Sequence, residues 1–145
     1  MLNSLVSNPF RLGPPAPVPK HFGILILDDS SFDRLRIKRE VSKAGLSAVI
    51  DEISCLCHLE DALNKKRYDL AVIDYFLPDG TGEQAIDVLL NHEINKSAKI
   101  LLVSGNPWID EGSMKERGKT FYFLQKDKLG YGEILRDITE SDSQD

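Results

Sequence analysis

Apolar runs of strand length alternate with amphipathic stretches of helix length over most of this 145-residue sequence. Four of the runs, at 22–27, 70–73, 100–103 and 121–124, are almost continuously apolar. Such runs are typical of parallel strands that are covered by other elements on both faces. The remaining run, at 48–53 and second along the chain, is more polar and is predicted to form an edge strand.

Each predicted strand but the fourth is followed by apolar residues at helical spacing. These residues are Ile37, Val41 and Ala44; Leu59, Ala62 and Leu63; Ile86, Leu89 and Leu90; and Ile134, Leu135 and Ile138. A less regular helix, interrupted by Gly112, is expected after Trp108. The sequence therefore predicts an α/β fold that is doubly wound, a (βα)5 arrangement with right-handed crossovers and helices on both faces of a five-stranded parallel sheet.

The residues at the expected ends of the helices support this assignment. Ser30 with Asp33, and Thr81 with Gln84, have the spacing of capping boxes. Gly45 is a plausible end for the first helix, because glycine commonly follows the last helical residue.

Composition and local bias define the expected domain organisation. Five of the seven prolines fall in the first 19 residues, so residues 1–20 are predicted to be a flexible leader. Residues 21–140 are predicted to form one domain, and residues 141–145 a short acidic tail. The net charge of −5 argues against sequence-independent nucleic-acid binding, and no stretch approaches the ~20 apolar residues that span a bilayer.

The two cysteines bear on the cellular compartment. Cys55 and Cys57 are separated by one residue, which leaves almost no loop for a disulfide to close, so free thiols are expected. Free thiols fit a reducing compartment, and the predicted location is the cytoplasm. His21 and His92 are expected at the surface.

Polar residues of particular types stand where the predicted strands end. Asp28 and Asp29 follow the first run, Asp74 follows the third, Ser104 the fourth, and Gln125 and Lys126 the fifth. The carboxyl ends of parallel strands line one crevice, where ligands of such folds bind. These side chains are therefore expected to meet in one pocket.

Three carboxylates in one pocket need a counter-charge. At ~4 Å and an effective dielectric constant of ~20, each pair repels by about 4 kcal/mol. Oxygen ligands without a cooperating His or Cys favour a hard cation, and Mg²⁺ fits a site with few protein ligands. With Lys126 and the Ser104 hydroxyl, the pocket is suited to a transferred phosphoryl group, and Asp74 is the candidate nucleophile.

Four motifs, ILILDDS, AVIDYFLPDGTG, LLVSGNP and FYFLQKD, together resemble the receiver domain of two-component response regulators over residues 22–140. The resemblance implies a flavodoxin-like fold with strand order 2-1-3-4-5. It also implies that Asp28 and Asp29 hold Mg²⁺ together with Asp74 and the main-chain carbonyl of Phe76.

The same resemblance assigns the remaining site residues. Asp74 is expected to accept the phosphoryl group, while Ser104 and Lys126 contact its oxygens. Phe123 matches the switch aromatic, which turns inward as Ser104 moves. Phe76 is apolar where many members carry a polar side chain, and Asn106 stands where others have a charge, so slow loss of phosphate from Asp74 is expected.

A stand-alone phosphoacceptor response regulator is the function that the resemblance implies. Its catalysis would be limited to self-phosphorylation and autodephosphorylation. The expected partners are a sensor histidine kinase or a histidine phosphotransfer protein, an unknown downstream protein and a possible second copy of the chain, with neither nucleic acid nor membrane.

Other functions are less well supported by the residues. A degenerate receiver used only for protein binding would not need all of the site residues. A haloacid dehalogenase-type phosphohydrolase needs an Asp two positions after its nucleophile, where Phe76 stands. Residues 80–85 match a dinucleotide fingerprint but lie behind Pro78, several residues past the strand.

Two further groups of residues could have either a structural or a functional role. Cys55, Cys57 and His58 offer thiols and an imidazole, although no second cluster supplies the remaining metal ligands. Trp108, Met114 and Tyr122 are expected either to fill the core or to form an apolar surface for a partner.

Overall fold

A computed structural model of the chain describes residues 21–106, 121–126 and 131–143. The predicted leader and the predicted helix after Trp108 lie outside the described residues. The elements follow in the order β1 (Phe22–Leu27), α1 (Ser31–Lys43), β2 (Ala48–Ile53), a 3₁₀ helix (Leu56–His58), α2 (Leu59–Lys65), β3 (Leu70–Asp74), β4 (Phe76–Leu77), β5 (Gly80–Thr81), α3 (Gly82–Leu90), β6 (Lys99–Ser104), β7 (Phe121–Gln125) and α4 (Tyr131–Ser143).

The five long strands form one parallel sheet in the order β2-β1-β3-β6-β7. This arrangement confirms the predicted flavodoxin-like order, and β2 is an edge strand as its polarity indicates. Sequence patterns did not predict the small antiparallel hairpin of β4 and β5, in which Phe76 pairs with Thr81.

The core consists of two layers, one on each face of the sheet. Alternate residues of β1 face opposite layers, so Leu25 packs with α2 and α3, whereas Ile26 packs with α1 and α4. Successive side chains of a strand point to opposite faces, and a strand that is covered on both faces must be apolar throughout. The buried β3 residues from Leu70 to Ile73 show this pattern, and the polar Asp74 ends the strand.

Helix ends agree in part with the capping predictions. Thr81 and Gln84 form a full capping box at the start of α3. At α1, the Ser30 hydroxyl accepts a hydrogen bond from the Asp33 main-chain N–H, but the Asp33 carboxylate is directed to Lys126 instead of back to Ser30. Gly45 follows α1 with φ of 75°, a left-handed conformation that glycine adopts without strain.

The prediction of free thiols is wrong, because Cys55 and Cys57 are joined by a disulfide. Cys55 is extended and the 3₁₀ helix begins directly after it, which brings the two Cα atoms within 5.2 Å of each other. That separation lies within the range a disulfide spans. The cysteines therefore give no support to a reducing compartment.

The connection between α3 and β6 is anchored by buried polar side chains. Asn95 is fully buried; its carbonyl oxygen accepts a hydrogen bond from Tyr68 N–H, and its amide donates to the main-chain oxygens of Leu63 and Lys66. His92 is also buried, so its predicted surface position is wrong: its Nδ1 accepts from two main-chain N–H groups. None of the helices described is long and apolar enough to cross a membrane.

Candidate functional site

The carboxyl edge of the sheet gathers the residues that the sequence singles out. Asp28 and Asp29 follow β1, Asp74 ends β3, and Ser104 ends β6. One carboxylate oxygen from each of the three aspartates lies within 4.8 Å of the others. The register of the parallel strands causes this meeting: Leu27 pairs with Ile73, so Asp28 and Asp74 follow side by side. Asp74 in turn pairs with Val103, directly before Ser104.

Lys126 is the cation at the centre of this group. Its Nζ lies 3.0 Å from Asp28 Oδ2, 3.2 Å from Asp74 Oδ2 and 2.7 Å from Asp33 Oδ2. The contact of Lys126 with Asp33 was not predicted from the sequence. Its signal was the capping-box spacing after Ser30, which placed an acidic residue in the first turn of a helix that begins at the same edge of the sheet.

Main-chain contacts also hold Lys126 in place. Its N–H donates to Ser104 O at 2.8 Å, and its carbonyl accepts from Arg36 Nη2 at 2.6 Å. Helix α1 therefore contacts both the ammonium group of Lys126, through Asp33, and its carbonyl, through Arg36.

The protonation of Asp74 reflects its crowded surroundings. Burial raises the pKa of Asp74 to about 6, and the neighbouring Asp28 charge contributes, although Lys126 opposes both. Burial alone would lower the pKa of Lys126, but the Asp33, Asp28 and Asp74 carboxylates raise it above the ordinary lysine value. Asp74 is therefore mostly ionised at neutral pH beside a lysine that stays charged.

The donor set fits a hard divalent cation. Asp28 is fully buried, and its Oδ2 accepts no hydrogen bond from any described residue even though it lies near Lys126 Nζ. A buried carboxylate oxygen without a donor is costly unless a charge compensates it. Asp29 is exposed and Asp74 is buried, so the three oxygens can face an ion that keeps part of its hydration shell.

Phe76 lies beside the phosphoacceptor candidate. Its N–H donates to Asp74 Oδ1 at 3.4 Å, and its side chain is 49% exposed. The predicted metal contact of its main-chain carbonyl stays a prediction.

Glycine is required where the next helix begins close to Asp74. A Cβ on Gly82 would lie 3.1 Å from Asp74 O and 2.6 Å from a methyl group of Leu102. Gly82 N–H donates to Tyr75 O at 2.6 Å, which holds the start of α3 against the segment after Asp74.

Ser104 and Phe123 occupy the strands next to Asp74. Ser104 is fully buried, and its hydroxyl oxygen accepts from Asn106 N–H at 3.0 Å. Phe123 is half-buried on β7 and packs against the core layer that contains α2 and α3. Their role in switching stays a prediction.

Solved structures share this architecture. A two-component response regulator from Cytophaga hutchinsonii has a TM-score of 0.72 at 14% identity, covering 88% of this chain and all (100%) of that one. The receiver domain of the sensor histidine kinase PA1611 from Pseudomonas aeruginosa, with a magnesium ion coordinated in its active-site cleft, has a TM-score of 0.68 at 17% identity, covering 83% and 97%. The chain has the receiver-domain fold.

A third similar structure is the chemotaxis response regulator CheY4 of Vibrio cholerae, with a TM-score of 0.67 at 18% identity, covering 82% of this chain and 99% of that one. No protein-family profile and no curated protein matches the chain. The match to the receiver fold thus comes from three-dimensional similarity, and the carboxyl edge that holds Asp74 is the edge where ligands of this fold class bind.

Proposed function

We propose that the chain is a phosphoacceptor response regulator in which Asp74 receives a phosphoryl group from a phosphohistidine. The observation that carries this proposal is the position of Lys126 Nζ, 3.0 Å from Asp28 Oδ2 and 3.2 Å from Asp74 Oδ2 at the carboxyl edge of the sheet. A cation held beside a buried carboxylate is the arrangement that phosphoryl transfer needs, because charge on the phosphoryl oxygens must be neutralised.

Asp74 would act as the nucleophile. One carboxylate oxygen attacks phosphorus while the bond from phosphorus to the histidine nitrogen breaks, and the departing imidazole keeps the electron pair and is then protonated by water. Attack requires the ionised form of Asp74, which prevails above the pKa of about 6.

Lys126 and Ser104 would then bind the transferred group. One Lys126 N–H is directed at Asp74 Oδ2 and can bond a phosphoryl oxygen attached there, while another donates to Asp33 and the ammonium keeps its ion pair with Asp28. Ser104 sits one residue beyond the register partner of Asp74, so a small movement of its strand end would let the hydroxyl donate to the same group.

Mg²⁺ would be held by Asp28, Asp29 and Asp74, with the Phe76 carbonyl as a further ligand. When bound, the ion supplies positive charge to the phosphoryl oxygens. The buried Asp28 oxygen that accepts no hydrogen bond from the described residues supports this assignment.

The donor would be a sensor histidine kinase or a histidine phosphotransfer protein, which must contact the same edge. Two large apolar side chains are exposed there: Phe32, in the first turn of α1, is 68% exposed, and Phe76 follows Asp74. Phosphorylation adds close to two negative charges and would bias the surface near Phe123 toward a downstream protein partner. We further propose a cytoplasmic location and no turnover beyond self-phosphorylation and autodephosphorylation.

Acetyl phosphate tests the proposal directly. Wild type incubated with acetyl phosphate and Mg²⁺ should gain one phosphoryl group by intact-protein mass spectrometry, and peptide mapping should place it on Asp74. Asp74→Asn should gain none, and chelation of Mg²⁺ should stop the reaction. An unmodified wild type would support a binding module that works without phosphorylation, whereas continuous release of phosphate from small esters would indicate a phosphohydrolase.

A further inference from the structure

A second group of metal-binding side chains lies outside the site described above. Cys55, Cys57 and His58 each place a ligand atom within 4.8 Å of the other two. Cys55 is half-buried, while Cys57 and His58 are exposed. His58 also borders a surface cleft with Glu52 and Asp61, so its imidazole can be reached from solvent.

The backbone that carries these ligands is held by hydrogen bonds to Asp79, which lies in a different part of the chain. The main-chain N–H groups of Leu56 and Cys57 each donate to the Asp79 carboxylate, at 2.9 Å to Oδ1 and 2.9 Å to Oδ2. His58 N–H in turn donates to Cys55 O at 3.3 Å. The three ligands, which lie within four consecutive residues, therefore sit on a turn. Asp79, five residues after the phosphoacceptor Asp74, holds this turn in place.

The spacing of the cysteines allows both a disulfide and a metal chelate. Their Cα atoms are 5.2 Å apart. Two thiolates on a tetrahedral Zn²⁺, at Zn–S distances of ~2.3 Å, place their sulfur atoms about 3.8 Å apart. Side-chain rotation is sufficient to move the sulfur atoms to that separation, and the His58 imidazole lies within the reach needed for a third ligand.

We propose that, once the disulfide is reduced, Cys55, Cys57 and His58 form a Zn²⁺ site. Two thiolates and an imidazole are the ligands that Zn²⁺ prefers, in contrast to the oxygen ligands of the aspartate site. No fourth His, Cys, Asp or Glu of the described residues joins the group. The fourth position is therefore open to water or to a ligand from another molecule.

The chemistry of loading has two balanced steps. A dithiol reductant transfers two electrons and two protons to the disulfide, which gives two thiols and the oxidised reductant. Binding of one Zn²⁺ then displaces the two thiol protons to solvent. The disulfide and the zinc complex are mutually exclusive, so the redox state of the cysteine pair decides whether the site can be loaded.

Metal titration of the full chain tests the proposal. The protein is reduced, freed of reductant under argon and titrated with Zn²⁺ against a chromophoric chelator, in excess Mg²⁺ to occupy the aspartate site. Reduced wild type should bind one Zn²⁺, and oxidised wild type should not compete with the chelator. Cys55→Ser should weaken binding by more than the ~10–100-fold that loss of an outer-shell partner typically produces.

Two further variants complete the test. His58→Ala should weaken Zn²⁺ binding, whereas His21→Ala, which removes an exposed imidazole bonded to Ser47, should not. Cd²⁺ added to reduced wild type should give the ultraviolet charge-transfer band of two thiolates, a readout that needs no variant. Equal Zn²⁺ affinity for reduced wild type and the Cys55→Ser/Cys57→Ser double variant, or no thiolate band with Cd²⁺, would overturn the proposal.

Discussion

Asp74 is placed where a charge is electrostatically unfavourable. It is 6% exposed, Asp28 lies beside it, and Lys126 compensates only in part, so the pKa of Asp74 rises to about 6. A carboxyl group with a higher pKa in the folded state than in the unfolded state takes up a proton on folding. Its ionisation therefore destabilises the folded protein above about pH 6, and this penalty fades as the pH falls toward 4.

Replacing Asp74 should accordingly stabilise the protein without Mg²⁺. Asp74→Asn is expected to raise the free energy of unfolding by about 1–3 kcal/mol at pH 7, and the difference should disappear near pH 4, where wild-type Asp74 is protonated. Urea denaturation of both proteins at several pH values measures this difference in the free energy of unfolding. Glu40→Gln, which removes a half-buried carboxylate paired with the exposed Lys43, is the control. A stability difference between Asp74→Asn and wild type that grows toward acid pH would contradict the raised pKa of Asp74.

The side chain of Phe76 is half exposed beside Asp74. We expect Phe76→Asn to shorten the lifetime of the phosphorylated protein, because an exposed apolar ring beside Asp74 is replaced by a group that can hydrogen-bond a water molecule. Loss of phosphate is followed by mass spectrometry after the donor is removed. Phe32→Asn, on α1, is the control for loss of an exposed ring at the same edge. An unchanged or longer lifetime in Phe76→Asn would defeat this explanation.

Among the elements, α2, β3 and the connection before β6 are joined by one buried amide. Asn95 bonds the end of α2 through Leu63, the following turn through Lys66 and the start of β3 through Tyr68. His92 supports this connection by accepting from Asn95 N–H at 3.2 Å, while its Nε2–H donates to Asn64 Oδ1.

Truncation of Asn95 should be severely destabilising. Asn95→Ala leaves a buried N–H and two carbonyl oxygens without their partner, and each unsatisfied buried group costs about 1–3 kcal/mol. We expect a loss of about 3 kcal/mol or more by chemical denaturation. Asn91→Ala is the matched control, since the exposed Asn91 amide makes a single bond to Asp87 O. Similar losses of stability for the two variants would show that the hydrogen bonds of the Asn95 side chain contribute little.

On the scale of the whole molecule, Lys126 joins four parts of the fold. It follows β7, its ammonium reaches Asp28 after β1 and Asp74 on β3, and Asp33 belongs to α1. A phosphoryl group on Asp74 would change the charge balance around this one ammonium and thereby affect all four elements.

Removal of the ammonium should separate phosphorylation from its structural response. Lys126→Ala is expected to accept a phosphoryl group from acetyl phosphate but to lose the shifts that beryllofluoride causes in the amide NMR signals of β7, including Phe123. Lys38→Ala, which loses only a surface pair with Glu52, should respond like wild type. Equal shifts in Lys126→Ala and wild type would refute this role for the lysine.

Local sequence patterns were sufficient for the main features of the fold. The four apolar runs and the polar run at 48–53 predicted the five long strands and the edge position of β2, because burial on both faces requires continuous apolarity. The same reasoning placed Asp28, Asp74 and Lys126 in one pocket, since parallel strands end at the same edge.

Local sequence patterns did not predict contacts between side chains that are far apart in the chain. Asp33 meets Lys126 across 93 positions, and Asn95 meets Leu63 across 32. The capping-box spacing places Asp33 in the first turn of α1, but no local pattern names the partner of either residue. The disulfide was mispredicted for a related reason: loop length indicated free thiols, whereas the extended Cys55 and the following 3₁₀ turn bring the sulfur atoms together.

The amino-acid sequence by itself determined the class of fold and the edge at which the polar groups assemble, because periodic burial and strand direction act on every residue of an element. Only the tertiary structure decided which charges touch. Hydrogen bonds and ion pairs form over ~3–4 Å, so their partners depend on how helices are placed on the sheet. Asp33 faces Lys126 because α1 begins at the edge where β7 ends.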